Sequence, residues 1–364
     1  MKQPTVWLVI GDKAGDNAQL EVVRERLGWQ VDYRRLTFLP RYVKGKPLFR
    51  ASLRHVDLER SDPLRAPWPD IVFTIGRRPS MVALWIKAQS GGRTRVVLFG
   101  RPKRWLERFD LIVTPAQYAV PPAANVLNIT LPLMRPDPQR LHEAHSAWQQ
   151  RLARLPRPLI AVLVGGSTNP FRLDAVVARD LVAQASAYAD AGTLYVTTSR
   201  RTPAEAAAAL EECLPERAVL YRWGDPAEDN PYYALLAHAD GFVVTGDSIS
   251  MLTEVARLGR PLAVYALPQS QAAGKYLVRA GMWLTRAAPR LASHPLLERL
   301  GLLFFPRELT RIHDWLYEHG MAVPAGQPLR LGSAGSAGKA VHDELDDVVA
   351  RIEALQRDAP TGAG

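Results

Sequence analysis

The sequence predicts an α/β protein built from two parallel sheets in tandem. Three observations carry this. Short apolar runs rich in strand formers alternate with helix-length segments. Most of these runs end in glycine or another small residue and lead into a helical pattern. The alternation breaks at a proline-rich stretch, 132–158, and then starts again. A chain of 364 residues also suits two cores better than one.

The first half opens with the strand Val6–Ile10, which ends at Gly11 and precedes a helix over Asn17–Leu27. Ile71–Ile75 repeats the design, with Gly76 and then a helix through Ala83, Leu84 and Ile86. Arg95–Phe99 and Leu111–Thr114 are further strands. A polar helix, Gln139–Arg154, lies inside the proline-rich stretch. In the second half Leu159–Val164 is a strand ending in Gly165-Gly166, and Thr193–Thr198 is a strand ending in Ser199-Arg200-Arg201. Ala218–Arg222, Gly241–Thr245 and Pro261–Ala266 read as strands, with a helix over Met251–Arg257. Leu309–His319 reads as a helix. After a Gly/Ala/Ser stretch, a last helix carries Leu345, Val348, Val349, Ile352 and Leu355 at helical spacing. The expected division is 1–150, 151–306, C-terminal helices over 307–358 packing on the first domain, and a frayed tail over 359–364.

Charge is uneven. The net charge is +10, yet Arg24–Arg108 holds twenty Lys and Arg against seven Asp and Glu. An anionic partner for the first half follows. No nucleic-acid module is recognisable, so nucleic acid is not expected. Residues 34–54 have seven basic and no acidic side chains, interleaved with Leu36, Phe38, Tyr42 and Phe49. That composition suits either an anionic membrane surface or a solvated basic loop. No apolar run reaches the ~18 residues of a spanning helix. The N-terminus shows no leader pattern and Cys213 is the single cysteine, so an intracellular location is expected, peripheral on a membrane's inner face if the basic stretch binds it. Cys213 reads as a small apolar residue.

Four strand-to-helix turns could carry chemistry, because ligands collect at the carboxyl ends of parallel strands and helix starts attract phosphate. The first runs from Gly11 through Asp12, Lys13, Gly15, Asp16 and Asn17; it lacks the ending of a P-loop. The second is Gly76-Arg77-Arg78. The third is Gly165-Gly166-Ser167. The fourth is Thr245-Gly246-Asp247-Ser248-Ile249-Ser250-Met251, with Glu254 further into the helix, where a carboxylate can accept from both ribose hydroxyls. The plain readings are a βα turn capped by Asp16 for the first, a solvated arginine pair for the second, a tight turn with a Ser cap for the third and a capped helix with an exposed Glu254 for the fourth. Ser199, Arg200, Arg201, Asn230 and Tyr232 sit on neighbouring loops and could contact phosphate and base. None of the eight histidines has a partner at metal-ligand spacing, so no metal and no other cofactor is expected.

These residues resemble a known family. Gly11-Asp12-Lys13-Ala14-Gly15-Asp16-Asn17-Ala18-Gln19 is similar to the opening GKAGDENQ signature of the mitochondrial-fission ELM-like family. Gly76-Arg77-Arg78, Gly92-Arg93-Thr94, Asp110 to Pro115, Gly165-Gly166-Ser167, Thr197 to Pro203, Asn230-Pro231-Tyr232 and Thr245 to Met251 match in order. Bacterial members of that family are described as glycosyltransferases or as nucleoside-diphosphate-sugar epimerases.

The resemblance implies a GT-B-like fold, two Rossmann-like domains facing across a cleft, with a nucleotide-sugar donor in the second domain. By that likeness Gly165, Gly166, Ser167, Ser199, Arg200, Asp247, Ser248, Ser250 and Glu254 would line the donor site. The first domain would hold an acceptor of the lipid-linked kind. The expected activity is a metal-independent glycosyltransferase, with Asp16 or Asp12 as base and Arg200 and the helix starts on the departing diphosphate. The alternatives are an epimerase of the same fold and a non-catalytic membrane-associated organiser. The sequence departs from the family at Gly100-Arg101-Pro102, where members often have Asp-Pro, and at Asn17-Ala18 in place of Glu-Asn. Those changes leave the acceptor and the catalytic group open.

Overall fold

A computed structural model describes residues 3–43, 50–102, 106–168, 171–227, 229–269, 308–332 and 344–357. It divides into two compact units, and the chain passes from the first to the second between Met134 and Arg135.

In the first unit β1 (Val6–Ile10) leads to α1 (Ala14–Leu27) and β2 (Val31–Arg35). A small antiparallel pair follows, β3 (Thr37–Phe38) with β4 (Val56–Asp57), the single turn α2 (Pro40–Val43) lying between them. Then come β5 (Ile71–Ile75), α3 (Arg77–Gln89), β6 (Arg95–Phe99), β7 (Leu111–Pro115) and β8 (Val126–Ile129). The six main strands form one parallel sheet in the order β2-β1-β5-β6-β7-β8. Both faces are covered, which is why the inner strands read as unbroken apolar runs. Alternate residues serve opposite cores. Val6, Leu8 and Ile10 join Phe73 and the last helix, whereas Trp7 and Val9 join Met81, Val82 and Ile86 of α3.

The second unit begins with α4 (Pro138–Leu152) and continues with β9 (Leu159–Leu163), α5 (Ala175–Ala189), β10 (Thr193–Thr197) and α6 (Ala204–Cys213). It then runs through β11 (Val219–Tyr221), α7 (Tyr232–His238), β12 (Gly241–Thr245), α8 (Ile249–Arg257) and β13 (Leu262–Tyr265). α9 (Thr310–Glu318) and β14 (Val323–Pro324) complete it. The parallel sheet has the order β11-β10-β9-β12-β13-β14, the order of a dinucleotide-binding fold. The last helix, α10 (Glu344–Arg357), belongs to the first unit. Leu345, Val348, Val349 and Ile352 enter its core, and the Glu344 carboxylate accepts the Thr130 amide at 2.7 Å. The protein is therefore α/β with two six-stranded parallel sheets.

Two boundaries differ from the sequence reading. Helix α4 belongs to the second unit, not to a first domain ending at 150. It buries Trp148 and Leu152, and Arg140 lies 4.1 Å from the Tyr233 ring centre of α7. Helix α9 also belongs to the second unit, because His313 bonds the Gly246 carbonyl at 2.7 Å. Among the described residues no helix is long and apolar enough to cross a membrane.

Candidate functional site

A sheet that reverses its winding opens a crevice at the carboxyl ends of the two strands flanking the reversal. In the first unit the reversal lies between β1 and β5, and in the second between β9 and β12. Three of the four predicted turns, and the start of the fourth, follow these four strands: Gly11, Gly76, Gly165 and Gly246.

In the second unit the turns are tied to each other. Thr245 Oγ1 accepts the Gly165 amide at 2.8 Å and donates to Asp247 Oδ1 at 2.8 Å. Asp247 Oδ2 accepts the Gly166 amide at 2.9 Å and Arg201 Nη1 at 2.7 Å. Ser199 Oγ and Thr202 Oγ1 both donate to the Gly165 carbonyl, at 2.8 and 2.6 Å. The Asp247 side chain is fully buried. A Cβ on Gly165 would stand 2.4 Å from Asp247 Oδ1, and one on Gly166 would stand 2.1 Å from the Arg201 carbonyl oxygen. Glycine is required at both positions by close approach.

This corrects the expected phosphate cradle. The Gly165 and Gly166 amides serve Thr245 and Asp247, and a buried carboxylate already holds the place an anion would take. The turn also does not open a helix. Ser167 Oγ accepts the Leu173 amide at 3.0 Å, and α5 starts only after Asp174, which caps it. Both neighbouring arginines are exposed, but Arg201 is tied down, donating to Asp247 Oδ2 and Thr168 Oγ1, each at 2.7 Å. Asn230 accepts the Tyr232 amide at 3.0 Å and so acts as a turn at the start of α7.

The start of α8 is different. Ser248 stands at its cap position but makes no side-chain capping bond. Its hydroxyl is buried and has no partner among the described residues. The first-turn amides of Ile249, Ser250 and Met251 thus lie at the switch point without a side-chain cap. Further along the helix the Tyr232 hydroxyl donates to the Glu254 carboxylate. Both side chains are half-buried. Burial pushes the Glu254 carboxyl above its ordinary range, opposed by the Tyr232 hydrogen bond and the charge of Arg140. Burial, with the Glu254 charge, pushes the Tyr232 phenol well up. His313, missed in the sequence, buttresses the turn from α9. A Cβ on Gly246 would stand 2.6 Å from its ring. Its signal was only an apolar helix face that includes one histidine.

In the first unit the switch point is an open cavity of about 410 Å3. Gly11, Asp12, Lys13, Asp16, Asn17, Gly76, Arg77 and Arg78 all line it, so the first two predicted turns come together. Asn17 Nδ2 donates to the Gly11 carbonyl at 2.9 Å and closes the first turn. Lys13 and Asp16 are 3.6 Å apart, and Arg78 and Asp12 are 3.9 Å apart. Gly76 adopts φ 90°, which lets the chain turn from β5 directly into α3. Gly15 lies in α1 with its nearest neighbour at Met134, and is not a lining residue. Sequence reasoning missed Arg101, Phe38 and Tyr118, which complete the wall. Arg101 had the same signal as the others, a strand followed by glycine.

The basic stretch is only partly described. Lys44, Lys46, Leu48 and Phe49 lie outside the described residues. Leu36 and Phe38 are buried in the first unit's core, and Tyr42 and Leu53 pack against it. Phe38 stacks on His55 with ring centres 5.8 Å apart, so it is a core residue and not an inserting one. Among the described residues no group of three His, Cys, Asp or Glu side chains could hold a metal ion. Cys213 is half-buried, and burial raises its thiol.

The chain is 32% identical over 219 residues to the mitochondrial fission protein ELM1 of Arabidopsis thaliana, covering 54% of this chain and 51% of that one. The match thus spans about half of the plant protein's length. It is 23% identical over 303 residues to the uncharacterized protein RP120 of Rickettsia prowazekii (strain Madrid E), covering 72% of this chain and 83% of that one. Among solved structures, a glycosyltransferase from Rickettsia africae ESF-5 superposes with TM-score 0.45 at 8% identity, covering 88% of this chain and 98% of that one. A UDP-GlcNAc 2-epimerase from Methanocaldococcus jannaschii does so with TM-score 0.48 at 10% identity, covering 96% and 99%. The family model for mitochondrial fission ELM1 matches residues 14–280, from the start of α1 to beyond β13, and the chain belongs to that family.

Proposed function

We propose that the second unit binds a nucleoside-diphosphate sugar and that the protein is a glycosyltransferase using it as donor. The observation that carries this reading is the start of α8. A buried Ser248 hydroxyl that has no partner among the described residues, beside first-turn amides that none of their side chains caps, lies at the switch point of a sheet with dinucleotide-binding order. Unsatisfied donors at a helix start favour a diphosphate. Glu254, on the same helix, is the group for the ribose hydroxyls. One carboxylate oxygen is held by Tyr232, and a ribose would use the other or displace the phenol. Arg201 is committed to Asp247, so the diphosphate would draw on Arg200 from the exposed side. A departing nucleoside diphosphate would be stabilised by the same helix start that binds it.

Thermal unfolding of the full chain with UDP, ADP, GDP and dTDP tests the reading. At least one should raise the midpoint, by the equivalent of about 2.7 kcal/mol at a hundredfold excess over Kd. Ser248→Ala removes no hydrogen bond to a described residue, so it should keep the unliganded midpoint and reduce the nucleotide shift. No shift with any of the four would remove the donor role.

A further inference from the structure

We infer that the donor site recognises a single sugar hydroxyl of its nucleotide, because Tyr232 keeps one oxygen of the Glu254 carboxylate and leaves the other to the ligand. This rests on the donor reading of the second unit and widens its ligand class to nucleotides that lack one of the two ribose hydroxyls. The Tyr232 hydroxyl donates to Glu254 Oε2. Glu254 Oε1 accepts no hydrogen bond among the described residues. The Glu254 side chain is only half-buried, so a ligand can reach this second oxygen.

Helix geometry sets where that oxygen is offered. Ile249, Leu252, Thr253, Val255 and Ala256 are the buried residues of α8. Ser250, Met251 and Glu254 share its partly exposed face, one turn apart. Side chains on a helix lean towards its N-terminus. Glu254 therefore leans over the first turn, beside the amides that no side chain caps.

Tyr232 is held in place from several sides. Ala234, Leu235 and Leu236 fix α7 in the core, Pro231 is buried, and Asn230 Oδ1 accepts the Tyr232 amide at 3.0 Å. The Tyr232 ring meets Tyr233 edge to face, with ring centres 5.7 Å apart. The Tyr233 ring is covered in turn by Arg140 of α4 at 4.1 Å. The charge of Arg140 also favours the ionised form of Glu254. Burial, with the Glu254 charge, keeps the phenol protonated, so it remains a donor. A second ribose hydroxyl could take its place only by leaving the phenol without a partner. An orphaned buried donor costs about as much as the new bond would contribute, so the exchange gains nothing. A hydroxyl on Oε1 displaces no protein group and is a net gain.

Calorimetric titration of the full chain with UDP, ADP and GDP, each beside its 2′-deoxy and 3′-deoxy analogues, tests this. For a parent nucleotide that binds, one analogue should bind within about threefold of it and the other about tenfold more weakly, the loss of one hydrogen bond to a charged group. Tyr232→Phe frees the second oxygen, and the tolerated analogue should then also fall about tenfold behind the parent. Affinity ratios are compared within each variant, so a change in carboxyl ionisation common to all ligands cancels. Glu254→Ala should bind the parent and both analogues alike. Should Tyr232→Phe fail to fold, the wild-type pattern still decides. Two weakened analogues in wild type would show that ribose displaces the phenol, and would overturn the inference while the donor reading stands. A folded Tyr232→Phe that keeps the wild-type pattern would take the role from Tyr232. Two analogues equal to a parent that binds would take Glu254 off the ribose. A chain that binds none of the parents would overturn the donor reading and the inference together.

Discussion

Asp247 and Gly166 are joined by a hydrogen bond of 2.9 Å between the buried carboxylate and the backbone amide, and this bond links the ends of β12 and β9. The same oxygen accepts Arg201 at 2.7 Å. The two ends of the ion pair are unequal, since Asp247 is fully buried and Arg201 is 43% exposed. Asp247→Asn should therefore cost about 2 kcal/mol, the scale for a buried charge-assisted bond. Arg201→Ala should cost under about 1 kcal/mol, because water replaces part of what is lost. Urea denaturation of both variants checks the order, and equal losses would show that the pair acts as an ordinary surface bridge.

The glycines give a second contrast. Gly166→Ala drives a Cβ to 2.1 Å from a backbone oxygen that cannot swing away, so it should cost about 1–3 kcal/mol or prevent folding. Gly15→Ala meets only Met134 Cε at 3.5 Å, inside α1. It should change stability by less than about 1 kcal/mol, and in the favourable direction, because alanine is the better helix former. Midpoints of chemical denaturation for the two variants make the comparison.

His313 sets a pH dependence. Burial holds its imidazole below the ordinary value of 6.5, only partly opposed by its hydrogen bond to the Gly246 carbonyl and the charges of Asp314 and Asp247. The folded chain keeps it neutral while the unfolded chain takes up a proton near 6.5. Its contribution is fully present above that pH and is lost as pH falls through and below it. His313→Phe fills the ring space without titrating. Its stability difference from wild type should be largest at the upper end of roughly pH 5 to 8 and shrink towards the lower end. A difference that stays constant across that range would show that the imidazole does not titrate with folding.

Much of this architecture was legible in the sequence, and the exceptions have physical causes. The buried strands β1, β5, β9 and β12 could be read because both faces are covered, which forces unbroken apolar runs. Strand β2 could not, because Val-Asp-Tyr-Arg-Arg lies at a sheet edge with no fully buried residue. The four glycine-ended turns were legible as a set, but their roles were not. Whether a glycine amide is offered to a ligand or used internally depends on a partner 81 residues away, as with Gly166 and Asp247. The tying down of Arg201 likewise depends on Asp247 and Thr168, not on local pattern. The unit boundary was misplaced because α4 reads as polar, Trp148 and Leu152 being its two buried residues.

Glu254 is raised by burial above its ordinary carboxyl value of 4.5. A raised carboxyl favours the folded state below that pH, and the advantage is lost as pH rises through the folded value. At neutral pH the buried charge is therefore a burden on stability. Glu254→Gln can still accept from Tyr232 and should be more stable than wild type at neutral pH, with the gain shrinking on acidification. Guanidinium melts at a series of pH values measure this. A variant less stable than wild type at neutral pH would show that the charged form is the favoured one.

The most direct test of the donor-site reading is calorimetric titration of wild type and Glu254→Ala with the nucleoside diphosphate that gives the largest thermal shift. Wild type should bind one equivalent per chain, and the variant should bind more weakly by about 1–3 kcal/mol, the loss expected for charge-assisted hydrogen bonds to ribose. A folded variant with unchanged affinity would take Glu254 out of the site, and a wild-type chain that binds no nucleoside diphosphate would contradict the account.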